Sequence, residues 1–236
     1  MSTSARSEVD DWLRHALPGR CVFCLGDCPP ASAWCEACLD DLPWNRPACP
    51  HCAEPQSGRG RGRVCGHCLR APPAFDAARA PLRYEAEVAR MMRRFKFHAS
   101  PRAGTVLLAL LERALVQAPR PEALVAVPLH PRRARERGFD QGRWLAERLA
   151  ARLDVPVVVA RRRRDTPSQR GLDRAGRRGN LRGAFEVPTR LPARVALLDD
   201  VMTTGATLDA LAQGCRRAGA ERIEAWAIAR TPAELW

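Results

Sequence analysis

The sequence predicts an α/β fold, a mostly parallel sheet flanked by helices, with a small cysteine-rich domain in front of it. Two observations lead to this prediction. From residue 74 onward, short apolar runs alternate with helical patterns, as in sheets that helices cover on both faces. Before that point, four Cys-x-x-Cys motifs follow one another closely. A chain of 236 residues has room for one mid-sized domain and a small satellite.

Composition places the chain among globular proteins, with 46% hydrophobic and 28% charged residues. The first twenty residues carry charges throughout and lack the apolar segment of a signal peptide. No later run approaches the roughly 18 uncharged residues that a membrane span needs. We therefore expect a cytoplasmic protein without membrane insertion.

The cysteine motifs predict zinc, because each Cys-x-x-Cys turn aims two sulfurs at one point and two turns complete a tetrahedral site. Disulfides are the alternative, but nothing in the sequence indicates secretion. All-cysteine sites leave no open position for water, so we expect two structural zinc ions rather than a catalytic one. We expect a double zinc ribbon over residues 21–70, after an N-terminal extension of residues 1–20. Its expected ligands are Cys21, Cys24, Cys35, Cys38, Cys49, Cys52, Cys65 and Cys68.

The pairing of these motifs is open at this point. A sequential arrangement gives two ribbons in tandem, whereas a cross-braced one joins the first motif to the third. Cys28 lies outside the motifs and is interpreted as a spare thiol, and Cys215 belongs to a later helix.

The net charge of +13 favours a polyanionic partner such as nucleic acid, although two Zn(Cys)4 centres would reduce it to about +9. Lys96 is the only lysine among 39 basic residues, which suggests codon bias as a further source of arginine. The excess is concentrated in residues 161–182, with nine arginines and two aspartates. The basic, glycine-rich residues 57–63 are interpreted as a solvated loop, with a phosphate-backbone contact as the alternative.

The elements of the second domain follow from hydrophobic periodicity. Apolar or β-branched runs predict strands, and apolar residues spaced by three and four predict helices. We expect strands at 78–84, 124–128, 155–160, 194–198 and 223–228, and helices at 85–95, 105–117, 141–153 and 206–218.

One stretch, VALLDDVMTTGATL at residues 195–208, predicts a ligand site. The apolar run places Asp199 and Asp200 at the carboxyl edge of the sheet, and the next helix directs its N-terminus to the same place. Helix N-termini bind phosphate through unpaired N–H groups, and Gly205 lets the backbone approach closely. The carboxylates would repel a phosphate and suit the vicinal hydroxyls of a ribose, with Mg²⁺ nearby. An ordinary helix cap needs only one such polar residue.

This stretch resembles the 5-phosphoribosyl-1-pyrophosphate (PRPP) loop of type I phosphoribosyltransferases. With the cysteine motifs it makes the chain similar to the ComF family, which is linked to DNA uptake in naturally competent bacteria. Other family-like stretches are RYEAEVARMMRRFKF, VPLHPRRARERGFDQG and TPSQRGLDRAGRRGNLRGAF. The resemblance implies a type I phosphoribosyltransferase fold over residues 74–232. It also implies a PRPP site formed by Asp199, Asp200, Val201, Met202, Thr203, Thr204, Gly205, Ala206 and Thr207.

Two further loops are implied by the same resemblance. The first follows a predicted strand and would bind pyrophosphate through guanidinium groups, although these arginines also suit a solvated surface. Its residues are His130, Arg132, Arg133 and Arg137. The second is a flexible loop that would close over PRPP or contact nucleic acid, and it includes Arg164, Thr166, Gln169 and Arg170. At Asp140 the family often has Asn, so this chain has an extra negative charge close to the first loop.

The implied reaction displaces pyrophosphate from the anomeric carbon of PRPP, with Asp199, Asp200 and Arg137 as catalytic residues. In 6-oxopurine transferases the phosphate loop carries an aspartate base, and Thr203 occupies that position here, so the acceptor is open. His130 and Glu136 are candidate acid/base groups or structural residues. An alternative is a PRPP-sensing or single-stranded-DNA-handling accessory protein that meets competence proteins and does not turn PRPP over. A structural adaptor held together by zinc is a third.

Overall fold

A computed structural model describes residues 19–30, 32–57, 62–129, 138–163 and 183–232. Within these ranges no helix is both long and apolar enough to cross a membrane. The chain divides into two compact units, Met1–Pro43 and Trp44–Trp236.

The first unit contains two short antiparallel strands, β1 (Gly19–Arg20) and β2 (Asp27–Cys28), and the short helix α1 (Glu36–Asp40). Cys35 is the N-cap residue of α1, and the Val22 N–H donates to the Ala33 carbonyl at 3.0 Å. Elements this short cannot enclose a large apolar core, and small domains of this kind use metal in its place.

The second unit contains a parallel sheet. Its strands are β3 (Ala77–Arg79), β4 (Leu82–Arg83), β5 (Ala123–Ala126), β6 (Val157–Val159), β9 (Arg194–Met202) and β10 (Arg222–Arg230). The strand order is β3-β10-β9-β5-β6, and β4 also pairs with β10. The prediction of a mostly parallel sheet is confirmed. A separate antiparallel pair joins β7 (Arg161–Arg162) to β8 (Phe185–Glu186).

The helices of this unit are α2 (Gly66–Arg70), α3 (Ala86–Phe97), α4 (Pro101–Leu115), α5 (Gln141–Leu153) and α6 (Ala206–Arg217). Helix α5 has the predicted bounds. Helix α4 begins four residues before its predicted start, because the Ser100 hydroxyl accepts from the Ala103 N–H at 3.3 Å and Pro101 suits the first turn.

The observed bounds of all five predicted strands differ from the predicted ones, most clearly at two of them. The strand predicted at 78–84 is split into β3 and β4, and Pro81, which lies between them, has no N–H for the ladder. Strand β9 continues four residues beyond the predicted end at Leu198. The added residues include both aspartates of the candidate site.

Both faces of the sheet are covered. Alternate residues of the strands, such as Val125, Val195 and Leu197, pack in one cluster with Leu208 and Leu211 of α6. Leu124, Ala196 and Leu198 point to the other face and are fully buried, and α4 and α5 contact the strands as well. This arrangement explains the near-continuous apolar runs that predicted the strands.

Strand β9 is paired unequally along its length. Its register with β5 ends at Ala126 opposite Leu198, whereas its register with β10 continues to Arg230 opposite Met202. The order of the strands along the chain also reverses between β5 and β9. Ligands of open parallel sheets bind outside the carboxyl ends of the strands at such a reversal.

Candidate functional site

Asp199 and Asp200 lie in the part of β9 that has lost its pairing with β5. Both are half-buried, and the Asp200 N–H donates to the Asp199 carboxylate at 2.8 Å. Successive side chains of a strand point to opposite faces. The acidic pair therefore presents carboxylates to both sides of the sheet edge.

Lys96, near the end of α3, forms an ion pair with Asp200, with 2.8 Å between Nζ and Oδ1. The two side chains are only 14% and 15% exposed, so solvent screens this pair much less than a surface pair. Lys96 is not among the site residues predicted from the sequence. The sequence did offer a way to single it out, because it is the only lysine of an arginine-rich chain.

Helices α3 and α5 pack together beside this ion pair. The Phe95 ring lies 5.6 Å from the Phe139 ring and 5.2 Å from the Trp144 ring. The buried Gln141 side chain donates to the Lys96 carbonyl at 3.5 Å. These contacts fix the end of α3, and with it the lysine, against the start of α5.

Asp140 is the N-cap of α5, and its carboxylate accepts from the Arg143 N–H at 3.0 Å. Asp and Asn cap helices about equally well. Asp140 therefore fills the same capping role that the Asn often found in the family would fill.

The phosphate loop, by which we mean residues 202–207, turns from β9 into α6. Gly205 has φ of +77°, a left-handed conformation that strains other residues. The Thr204 side chain is buried, and its hydroxyl oxygen accepts from the Ala206 N–H at 3.2 Å. Thr203 is exposed and Thr207 is half-buried. The loop thus places two threonines and the first-turn amides of α6 at the helix N-terminus.

Helix α6 is anchored by apolar residues at the spacing of one helix face. Leu208, Leu211, Ala212 and Cys215 are at most 1% exposed. Burial raises the pKa of the Cys215 thiol to about 12, so this cysteine is an unreactive core residue.

The two predicted arginine-rich loops lie outside the described residues. This applies to the pyrophosphate-binding prediction for His130, Arg132, Arg133 and Arg137, and to Glu136. It applies equally to the flexible-loop prediction for Arg164, Thr166, Gln169 and Arg170.

The eight motif cysteines form two clusters, and the motifs pair in sequence. In each cluster the four sulfurs lie within 4.8 Å of one another: Cys21, Cys24, Cys35 and Cys38 in the first, and Cys49, Cys52, Cys65 and Cys68 in the second. Two of the sulfur–sulfur distances are 3.8 Å and 3.7 Å. A tetrahedral zinc with Zn–S bonds of about 2.3 Å requires edges of about 3.8 Å. Both clusters therefore fit structural zinc.

The thiols of the second cluster share hydrogen bonds. A hydrogen bond from the Cys52 thiol and backbone N–H groups such as that of Cys65 lower the pKa of Cys49. The same thiol–thiol hydrogen bond raises the pKa of Cys52, and burial raises the pKa of Cys68. The Cys65 N–H lies 3.3 Å from the Cys49 sulfur. Cys28, outside both clusters, donates to the Ser32 carbonyl at 3.3 Å, and burial raises its pKa.

Comparison with known proteins agrees with this architecture. Residues 12–69 match the double zinc ribbon domain, and residues 140–235 match the phosphoribosyl transferase domain. The fold is also similar to the orotate phosphoribosyltransferase of Aeropyrum pernix, with a TM-score of 0.39 and 23% identity over 61% of this chain and 69% of the other. The two domain matches make the chain a phosphoribosyltransferase-fold protein that carries a double zinc ribbon.

Two full-length relatives are more specific. Competence protein F of Haemophilus influenzae is 34% identical, covering 89% of this chain and 96% of the relative. DNA utilization protein YhgH of Escherichia coli K12 is 30% identical, covering 91% and 98%. The chain belongs to the competence protein F (ComF) family.

The cysteine clusters predict a metal content. Purified protein should contain close to two zinc ions per chain, because each cluster supplies four thiolates, and strong chelation should unfold the cysteine-rich segments. Atomic absorption and circular dichroism before and after chelation measure both effects. Cys28→Ser is the control and should retain both ions. Protein without zinc, with all its thiols freely reactive, would contradict the assignment.

The Lys96–Asp200 pair predicts a strong energetic coupling. Lys96→Met should lower the free energy of unfolding by about 2 kcal/mol, because it leaves a largely buried carboxylate without its cation. Adding Asp200→Asn should recover much of that loss, since the unpaired charge is gone. Urea unfolding of the wild type, both single variants and the double variant measures the coupling. Strictly additive effects would show that the pair contributes nothing.

Proposed function

We propose that the protein binds PRPP with Mg²⁺ at the open edge of β9 and transfers its phosphoribosyl group to an acceptor that is still to be identified. One observation carries this proposal. Asp199 and Asp200 lie on β9 beyond the end of its pairing with β5, where the strand order reverses. Directly after them, a turn at Gly205 leads into the N-terminus of α6.

The two halves of this stretch suit different ends of one ligand. The N-terminus of α6 offers amides and the positive end of the helix dipole, which favour the 5-phosphate. Asp199 and Asp200 would repel that phosphate but accept hydrogen bonds from ribose hydroxyls. A sugar with a phosphate at one end matches both halves, and the proposed contacts of residues 199–207 follow from this match.

Mg²⁺ fits the donors at this edge, because carboxylate oxygens are the protein ligands it prefers. When bound, the ion would neutralise charge on the pyrophosphate. The Lys96 ammonium lies beside Asp200 and already balances part of the negative charge of the acidic pair. Arg137, with His130, Arg132 and Arg133, is proposed to hold the pyrophosphate, and the loop containing Arg164 to close over it.

In the proposed reaction, the bond from the anomeric carbon to pyrophosphate breaks while a nucleophilic atom of the acceptor forms the new bond. Catalysis comes from positioning the two reactants and from stabilising the charge of the departing pyrophosphate. No covalent intermediate with the chain is needed. Thr203 cannot act as a general base at neutral pH, so a purine that needs deprotonation from the phosphate loop is disfavoured as the acceptor.

The names of the relatives and the charge of the chain favour a role in DNA uptake, and we propose that the protein acts in the cytoplasm. A second candidate function, PRPP sensing or single-strand handling beside competence proteins, is supported by the net charge of +13. The exposed Arg90, Arg93 and Arg94 on α3 add to this basic character close to the Lys96 end of the helix.

PRPP with Mg²⁺ should raise the melting temperature of the wild type. At a concentration of one hundred times Kd, the stabilisation is about 2.7 kcal/mol, which corresponds to roughly 5–10 °C for a chain of this size. The double variant Asp199→Asn, Asp200→Asn should lose this rise while remaining folded. Differential scanning fluorimetry with and without PRPP measures the difference.

Asp154→Asn is the matched control, because it removes an exposed carboxylate outside the site at a left-handed position that Asn tolerates. It should respond to PRPP like the wild type. An unchanged response in the double variant would refute the assignment. Incubating PRPP with metabolite extract and measuring released pyrophosphate then separates the two candidate functions, since a sensor binds PRPP without releasing pyrophosphate.

A further inference from the structure

Arg230, the last residue of β10, connects the second cysteine cluster to the phosphate loop. Its side chain is fully buried. Its Nη1 donates to the Met202 carbonyl at 3.1 Å, and its Nε donates to the Cys52 carbonyl at 3.2 Å. Its Nη2 forms an ion pair with the Glu54 carboxylate. The proposed PRPP contacts do not use this residue.

At one end of this connection lies the start of the phosphate loop. The Met202 carbonyl accepts from Arg230 and also from the Thr231 N–H at 2.9 Å. The Met202 side chain is 1% exposed and belongs to the core cluster. The position at which β9 turns into the loop is therefore set by two donors from the end of β10.

At the other end lies the turn that carries Cys49 and Cys52. The Cys49 N–H donates to the Glu54 carbonyl at 2.9 Å, and the Ala53 N–H donates to the Cys49 carbonyl at 2.8 Å. Ala53 is 2% exposed and has φ of +53°. This turn is compact and buried, so the sulfur of Cys52 and the acceptors of Arg230 are parts of one local structure.

The guanidinium makes this connection sensitive to the geometry of the turn. Arginine remains charged in proteins, and a buried charge that loses its partner is strongly destabilising. Arg230 must therefore keep Glu54 and the Cys52 carbonyl on one side while it holds the Met202 carbonyl on the other. A displacement of the cysteine turn would move the guanidinium or leave it unpaired.

We propose that zinc in the second cluster positions the phosphate loop through Arg230, so that PRPP binding depends on the second zinc and not on the first. This inference rests on the proposed function for its ligand. The first cluster belongs to the other compact unit, Met1–Pro43, whereas the second shares its unit with the phosphate loop. The two zinc sites thus have different functions although their ligands are the same.

The test compares two matched cysteine variants. Cys24→Ser and Cys65→Ser each remove one thiolate from one cluster, and each should lower the zinc content of the full chain by about one ion. Calorimetric titration with PRPP and Mg²⁺ should give an unchanged Kd for Cys24→Ser. Cys65→Ser should raise the Kd by about tenfold or more. Changes of this size are typical when a residue that holds the binding groups in place, without contacting the ligand, is lost.

Arg230→Lys tests the connection itself. Lysine keeps the charge, but its single ammonium lacks the separated Nε and Nη1 donors with which the guanidinium reaches the carbonyls of Cys52 and Met202. We expect both zinc ions to remain, the Kd for PRPP to rise about tenfold, and amide exchange to become faster in residues 199–207. If Arg230 only stabilised the fold, Arg230→Lys would lower the stability of the whole protein, and amide exchange would not change selectively in residues 199–207.

Amide exchange without ligand keeps the inference separate from the proposed function. If the wild type does not bind PRPP, the proposed function fails, and exchange in residues 199–207 still decides whether the second zinc and the loop are coupled. Faster exchange there in Cys65→Ser and Arg230→Lys, but not in Cys24→Ser, supports the coupling. Equal effects of the two cysteine variants, or an unchanged loop in Arg230→Lys, would overturn it.

Discussion

The candidate site depends on the unequal pairing of β9. Up to Leu198 the strand has neighbours on both sides, and from Asp199 to Met202 it is paired only with β10. Because β10 continues, the last four residues of β9 keep an extended backbone, whereas within the described residues β5 no longer pairs with their other edge. The acidic pair and the phosphate loop therefore lie where one side of the strand has no strand partner in the described part of the chain.

Charges of opposite sign lie close together around this edge. Carboxylates lie on the strand, an ammonium lies beside one of them, and a helix N-terminus follows within a few residues. A ligand of a single charge type would be attracted by one part and repelled by another. This pattern suits a molecule that combines hydroxyls with phosphate, which is the basis for proposing PRPP.

The sequence predicted the strands and helices well where burial determines the residue type. Leu124, Val195 and Leu197 lie in a sheet covered on both faces, so their apolar run is nearly continuous. The end of β9 was not predictable in this way, since residues 199–201 are half-buried and their strand conformation comes from pairing with β10. The split at Pro81 could have been predicted from the sequence, because proline has no N–H to donate to a neighbouring strand.

The contacts behind the site show a further limit of prediction from sequence. Lys96 could have been singled out because it is the only lysine. Arg230, however, is one arginine among many, and its partners include the carbonyls of Cys52 and Met202, which leave no pattern in side-chain identity. Contacts between a side chain and distant backbone groups require the tertiary structure.

We propose that one ligand spans the acidic pair and the N-terminus of α6, and a crystal structure with PRPP and Mg²⁺ would reveal its position. We expect the 5-phosphate within about 2.7–3.2 Å of first-turn amides of α6, with ribose hydroxyls at similar distances from Asp199 or Asp200. PRPP bound elsewhere, or with its 5-phosphate away from α6, would contradict it.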